Sequence, residues 1–206
     1  MQWVVELNRS IDPDQLPDGI TIYAHNFKGY DGRLLYEEIV RTGCQVNNLM
    51  FRGSKIISFH YGQIKFSDTL LQLPASLEQL PKMFGMDETQ FKKGYFPYLF
   101  NTPDNQDYVG PIPDKTFFQP EKMFAAKRKD FEEKWYPSQQ GEYNFRRELE
   151  EYCISDVKIL AKAIEAYLQV GLQHKPLDPW SCTTIASYAL QMYRQYYMPE
   201  DQMAIL

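Results

Sequence analysis

An α/β fold is what the sequence predicts, and three stretches predict it. "ITIYAHN" (20–26) is rich in β-branched and aromatic residues and runs through the turn "FKGYDG" into the helix-spaced "RLLYEEIVRTG" (33–43). "KIISFHYGQIKFSDTL" (55–70) reads as paired strands around Gly62. "NFRRELEEYCISDVKILAKAIEAYLQ" (144–169) sets Phe145, Leu149, Cys153, Val157, Leu160, Ile164 and Leu168 on one stripe, the pattern of a long amphipathic helix.

The other elements follow in chain order. Residues 2–9 predict a short helix, and "IDPDQLPDG" a loop, because prolines and a glycine interrupt any period. The apolar run of 20–26 predicts a strand buried on both faces, as in a parallel or mixed sheet. Leu34, Leu35, Tyr36 and Ile39 give the next helix its apolar side, and Gly43 is placed as its stop. "SLEQLPKMFG" predicts a short helix ended by Gly85. From 92 to 120 prolines recur without a period, which predicts an irregular insertion on the surface; a charged helix follows over 121–135.

Composition excludes several classes. A hydrophobic fraction of 44% with 15% aromatics is too apolar for a disordered chain, and no apolar run approaches a membrane span. The N-terminus lacks the basic region, apolar core and small-residue site of a secretory signal, so an intracellular setting is expected, with the nucleus among the compartments open to it. Cys44, Cys153 and Cys182 are odd in number and widely spaced, which argues against a disulfide framework and a zinc site. A net charge of −5 offers no global attraction to nucleic acid. A nucleic-acid partner would have to be held by local basic groups or by bound metal.

Two carboxylates stand out. Tyr152 and Asp156, four apart, share a helix face that borders the apolar stripe, where a lone acid requires a cation, a metal or hydrogen-bond donors. The plain alternative is a half-exposed Asp156 paired with Lys158 or Arg146. Asp31 stands in the turn ahead of a helix, where an N-cap is the plain reading. Asn26 and Lys28 have a plain reading as loop residues.

Taken together, these patterns resemble a family. A strand ending in His-Asn, an aspartate before a helix, and a later helix with Tyr-x-x-x-Asp resemble motifs II and III of the 3′-5′ exonuclease domain of family B DNA polymerases. "YAHNFKGYDGRLL", "KGYFPYLFNTP", "YVGPIPDK", "EYCISDVKIL" and "TTIASYALQMYRQYYMPED" resemble the protein-primed branch, especially the polymerases of Maverick or Polinton-type mobile elements and their viral relatives, over nearly the whole chain. The resemblance implies an RNase H-like (DnaQ-like) α/β exonuclease fold, with residues 1–170 as a partial exonuclease domain and 171–206 as a connector toward a polymerase palm.

The resemblance further implies phosphodiester hydrolysis at a two-metal site holding Mg²⁺ or Mn²⁺, with Asp31 and Asp156 as metal-associated acids facing one cleft. Tyr152 would orient the attacking water and Lys93 contact the scissile phosphate. Asn26 and Tyr30 would contact the single-stranded 3′ end, as would Thr69 and Leu70 of "TLLQL"; His25 stands with this set, as a buttress of the turn more than a base. The site implied would gather the basic groups Lys28, Arg33, Lys92 and Lys93 around it despite the acidic average. The partners implied are single-stranded DNA, a primer-template and a terminal priming protein, with no membrane.

The sequence departs from the family in two respects. The Asp-x-Glu motif on the opening strand of the sheet is missing: Glu6 stands alone, Asp12 and Asp14 lie in a proline-containing loop, and Asp87 and Glu88 are adjacent and would face opposite ways on a strand. The palm motifs are missing too. The expectation is therefore a fragment, incomplete at its N-terminal strands and inactive alone. The alternative is a decayed or domesticated nucleic-acid-binding remnant without catalysis. A globular interaction module built on the aromatic-rich insertion is a third reading, and it leaves the paired motifs unexplained.

Overall fold

The computed structural model describes residues 2–87, 91 and 93–199. The chain divides into two compact units, Met1–Ser76 with Glu165–Leu206, and Leu77–Ile164. Lys92 and Glu88 lie outside the described residues, as does the end of the expected connector, 200–206.

The first unit begins with α1 (Gln2–Ser10), β1 (Ile20–Ala24), α2 (Asp31–Arg41), β2 (Asn47–Arg52), β3 (Lys55–Tyr61) and β4 (Ile64–Asp68). The strands form one mixed sheet in the order β1-β4-β3-β2, with β1 parallel to β4 and the other pairs antiparallel. Ile20 lies opposite Ile64 and Ala24 opposite Asp68, so β1 and β4 end side by side. Val4 of α1 and Ile39 of α2 join Phe27, Phe59, Ile64 and Phe66 in the core, all at most 1% exposed. Burial of each such side chain contributes about 1.5–3 kcal/mol. The expectation that β1 is buried on both faces is not met: as the edge strand it is half-buried, with Thr21 exposed. The double burial belongs instead to β3, where Ile56 through Phe59 are all buried.

The periodicity did not predict β2. Its sequence NNLMFR opens on two asparagines, Asn48 has a left-handed backbone (φ 50°), and its register against β3 shifts twice. Only Leu49 is even half-buried, so no alternation marks the strand.

The second unit holds α3 (Leu80–Met83), β5 (Val109–Gly110), α4 (Ala125–Asp130), α5 (Tyr136–Ser138), β6 (Tyr143–Asn144) and the first two-thirds of α6 (Phe145–His174). Residues 93–120 are irregular as expected, but they are not a surface insertion. Phe96 and Phe100 are buried against Phe145 of α6, and Phe118 against Phe131 and Trp135. Rings of this size bury 150–250 Å² each, enough to give a proline-rich segment its own core. The charged helix expected over 121–135 starts as α4 at Ala125 and widens into a π-turn over Phe131–Trp135 that buries Phe131 completely.

α6 also departs from its expected phase. The inward face runs through Phe145, Leu149, Tyr152, Asp156, Ile159 and Ala163, whereas Cys153 and Val157 are exposed. Tyr152 and Asp156 thus lie on the buried face itself, with Tyr152 stacked on Phe96 at 4.9 Å.

The last turns of α6 and α7 (Ile185–Tyr196) return to the first unit. Gln72, 2% exposed, donates to the carbonyls of Pro179 (3.0 Å) and Cys182 (2.6 Å) and accepts from the Tyr167 hydroxyl (3.0 Å). Burial pushes the Tyr167 phenol up to about 12. Thr184 and Ser187 form a capping box that starts α7. No helix among the described residues is long and apolar enough to cross a membrane.

Candidate functional site

In the first unit the candidate residues gather where β1 and β4 end. Past Ala24 the chain turns at Asn26, whose φ of 63° puts a non-glycine residue in the left-handed region. Two glycines let the turn close. A Cβ on Gly29 would lie 2.7 Å from Asn26 Nδ2, and one on Gly32 would lie 2.9 Å from the Phe27 ring. Phe27 is thereby driven into the core while Tyr30 projects outward, 76% exposed. Asp31 does not cap α2: it is the first helical residue, exposed, behind Tyr30, which makes no side-chain cap bond. An acid in the first turn still meets the helix dipole favourably.

His25 spends both ring nitrogens inside the protein, Nδ1 at 2.9 Å from the Thr69 hydroxyl and Nε2 at 2.8 Å from the Ala75 carbonyl. Thr69 is fully buried, and its hydroxyl also donates to the Ala24 carbonyl (3.3 Å). Of the Thr69–Leu70 pair it is Leu70 that lines a cavity of about 670 Å³, together with Lys28, Phe51, Arg52 and Ile185. Arg33 is held by Glu37 at 2.6 Å.

Asp68 belongs to this region and was missed. Its carboxylate is 2% exposed, accepts from Leu70 N (2.9 Å) and Lys28 N (3.3 Å), and so ties the turn after β1 to the turn after β4. The sequence signal was available in "SDTL", an aspartate ahead of a helical turn, which is an N-cap pattern.

In the second unit the inward face of α6 presents Tyr152 and Asp156. Neither Lys158 nor Arg146 pairs with Asp156: Arg146 binds Asp107 at 2.6 Å, and Asp156 Oδ2 meets Lys93 Nζ at 3.1 Å. The Lys93 ammonium also stands 5.4 Å from the Tyr152 ring centroid. Asp156 Oδ1 is inaccessible to solvent and has no hydrogen-bond partner among the described residues. Such an acceptor costs about 1–3 kcal/mol. The Tyr152 hydroxyl hydrogen-bonds the Tyr98 hydroxyl, and burial pushes both phenols above their ordinary range, aided at Tyr152 by the nearby Asp156 charge.

The structure therefore groups His25, Asn26, Tyr30, Asp31, Thr69 and Leu70 in one unit, and Lys93, Tyr152 and Asp156 in the other. A two-metal centre does not fit the donor set at hand. Among the described residues no group of three His, Cys, Asp or Glu side chains could hold an ion, and one oxygen of Asp156 is already engaged by an ammonium.

The comparisons agree with the polymerase side of the resemblance. Residues 14–206 match the model of DNA polymerase type B, organellar and viral. A "Probable DNA polymerase" of Neurospora intermedia is 27% identical over 197 residues, covering 89% of this chain and 20% of the relative. Proteins of the same description from Ascobolus immersus (26%, with 89% and 16% covered) and Agaricus bitorquis (25%, with 84% and 22%) are similar. The chain spans about a fifth of the length of these curated relatives. No solved structure gives a significant match. With the family model covering all but the first 13 residues, the chain belongs to the type B DNA polymerases of the organellar and viral kind.

Proposed function

We propose that the chain is part of the 3′-5′ exonuclease domain of such a polymerase, with an RNase H-like (DnaQ-like) sheet incomplete at its N-terminal strands. The observation that carries the reading is Asp156. An acid on the buried face of a long helix, with one oxygen on Lys93 and the other unpartnered, is costly as structure and suited to a ligand. The substrate is the single-stranded 3′ end of DNA, with a primer-template and a terminal priming protein as partners of the longer protein.

In this reading Lys93 neutralises Asp156 when no strand is present and turns to the scissile phosphate when one is. Tyr152, kept a neutral phenol by burial, offers a donor beside the carboxylate. Asn26 and Tyr30 hold the strand, the exposed ring by stacking on a base. Mg²⁺ or Mn²⁺ is the cofactor the reading requires, and the described carboxylates of this chain do not by themselves complete a site for it. The chain alone is accordingly inactive.

The test uses a longer polymerase carrying these residues. Asp156→Asn should abolish Mg²⁺-dependent shortening of a 3′ single strand while leaving nucleotide incorporation largely intact. Shortening at the parent rate would overturn the reading.

A further inference from the structure

A second pocket, about 230 Å³, lies wholly within the second unit. Three lysines line it, Lys93, Lys122 and Lys127, against one carboxylate, Glu78. Tyr95, Phe96, Tyr98 and Phe118 form its aromatic wall. At the rim stands Phe124, which is 89% exposed although it is a large apolar ring. In a chain of net charge −5, this concentration of cations and rings needs an explanation.

The cations are held in ways that leave them available. Lys127 pairs with Glu78 at 2.6 Å, with 24% and 48% of the two side chains exposed, and lies 5.6 Å from the Tyr95 ring centroid. A pair this accessible to water is weak, so an incoming phosphate can take the ammonium from Glu78 at little cost. Lys122, exposed two positions before Phe124, makes no side-chain ion pair or hydrogen bond among the described residues. Cations that follow a phosphate backbone, beside an aromatic face open to a base, are the elements of sequence-tolerant single-strand binding.

We propose that this pocket takes one nucleotide of a single strand, its base stacked on Phe124 and its phosphate between Lys122 and Lys127. The proposal rests on the preceding reading only in taking single-stranded nucleic acid as the ligand. Lys93 faces both this pocket and Asp156, so a strand seated here would approach the α6 carboxylate along the same lysine.

The test is anisotropy of a labelled oligo-dT with the 206-residue chain at low and rising ionic strength, with thermal melts confirming that each variant folds. Phe124→Ala should weaken binding about fivefold or more, as loss of one stacked base does. Lys122→Ala should lower the salt slope by about 0.7, one phosphate on a single strand. Variants that bind like the parent give the exposed ring to a protein neighbour and overturn the proposal, as does failure of the parent chain to bind. Dependence on Phe124, found while Asp156→Asn leaves strand shortening intact in the longer polymerase, supports the pocket and overturns the exonuclease reading. Loss of shortening without dependence on Phe124 does the reverse.

Discussion

Whether Asp156 is a structural ion-pair partner or an acid held in readiness can be decided without activity, through stability. At 3.1 Å and an effective dielectric of about 20, the Lys93 and Asp156 charges attract by about 5 kcal/mol. Desolvation opposes this, and with 22% and 25% of the two side chains exposed, water screens the rest, so the net worth falls to about 1–2 kcal/mol. The two partners are not equivalent. Lys93→Met leaves both oxygens of Asp156 without a protein partner and should cost about 1–3 kcal/mol. Asp156→Leu removes an orphan acceptor from a buried helix face and leaves an ammonium that still has the Tyr152 ring and a route to water, so it should be near neutral or stabilising. The double variant should match Asp156→Leu alone. Urea unfolding followed by fluorescence, with Trp135 reporting on the second unit, supplies the four midpoints of the cycle. Two single variants of equal cost that add to within about 0.5 kcal/mol would refute the argument, because an acid held against stability cannot behave so.

Two further predictions concern the phenols and the turn. Tyr98 and Tyr152 ionise near pH 10 in the unfolded chain and well above that when folded. Their contribution to stability is therefore complete below about pH 10 and is lost as the pH rises beyond it, because the unfolded state releases these protons first. Tyr98 is 52% exposed, so the test rests on Tyr152: in an alkaline ultraviolet titration the absorbance step that Tyr152→Phe removes should appear only with unfolding, and its appearance in a still-folded chain would sink the point. Gly32→Ala should lower the melting temperature through a loss of about 1–3 kcal/mol, since its Cβ would enter the Phe27 ring at 2.9 Å. An unchanged melt would show that Gly32 does not seat Phe27.

Where residue type and period agreed, the sequence was a reliable guide. β1 and the β3–β4 hairpin, α2 with Gly43 behind it, and the long α6 carry their propensities openly. It misled where burial was decided by something other than aliphatic spacing. The stripe drawn through Cys153 and Val157 counted apolar residues, but the face of α6 that turns inward carries a tyrosine and an aspartate, as a site does when chemistry overrides the pattern. Proline recurrence suggested a surface segment over 92–120, although Phe96, Phe100 and Phe118 within it are core. The pair Lys93–Asp156 spans 63 positions, and no local rule connects the two residues; only the resemblance singled out Lys93. Asp68 was legible as a cap of the turn it precedes, but its second contact, to Lys28 N 40 positions earlier, has no local signal.

Gln72 makes the order of synthesis matter. The carbonyls that satisfy its amide lie 107 and 110 positions later in the chain. At about 5–20 residues per second, a ribosome needs roughly 5–20 s to supply them. During that interval the sheet can form while one of its most buried polar side chains still seeks partners. The last third of α6 and the segment before α7 then arrive as the closing part of a unit begun with the first helix. A nascent chain released before Cys182 would hold a folded sheet around an unanswered amide, a species suited to chaperone capture or degradation.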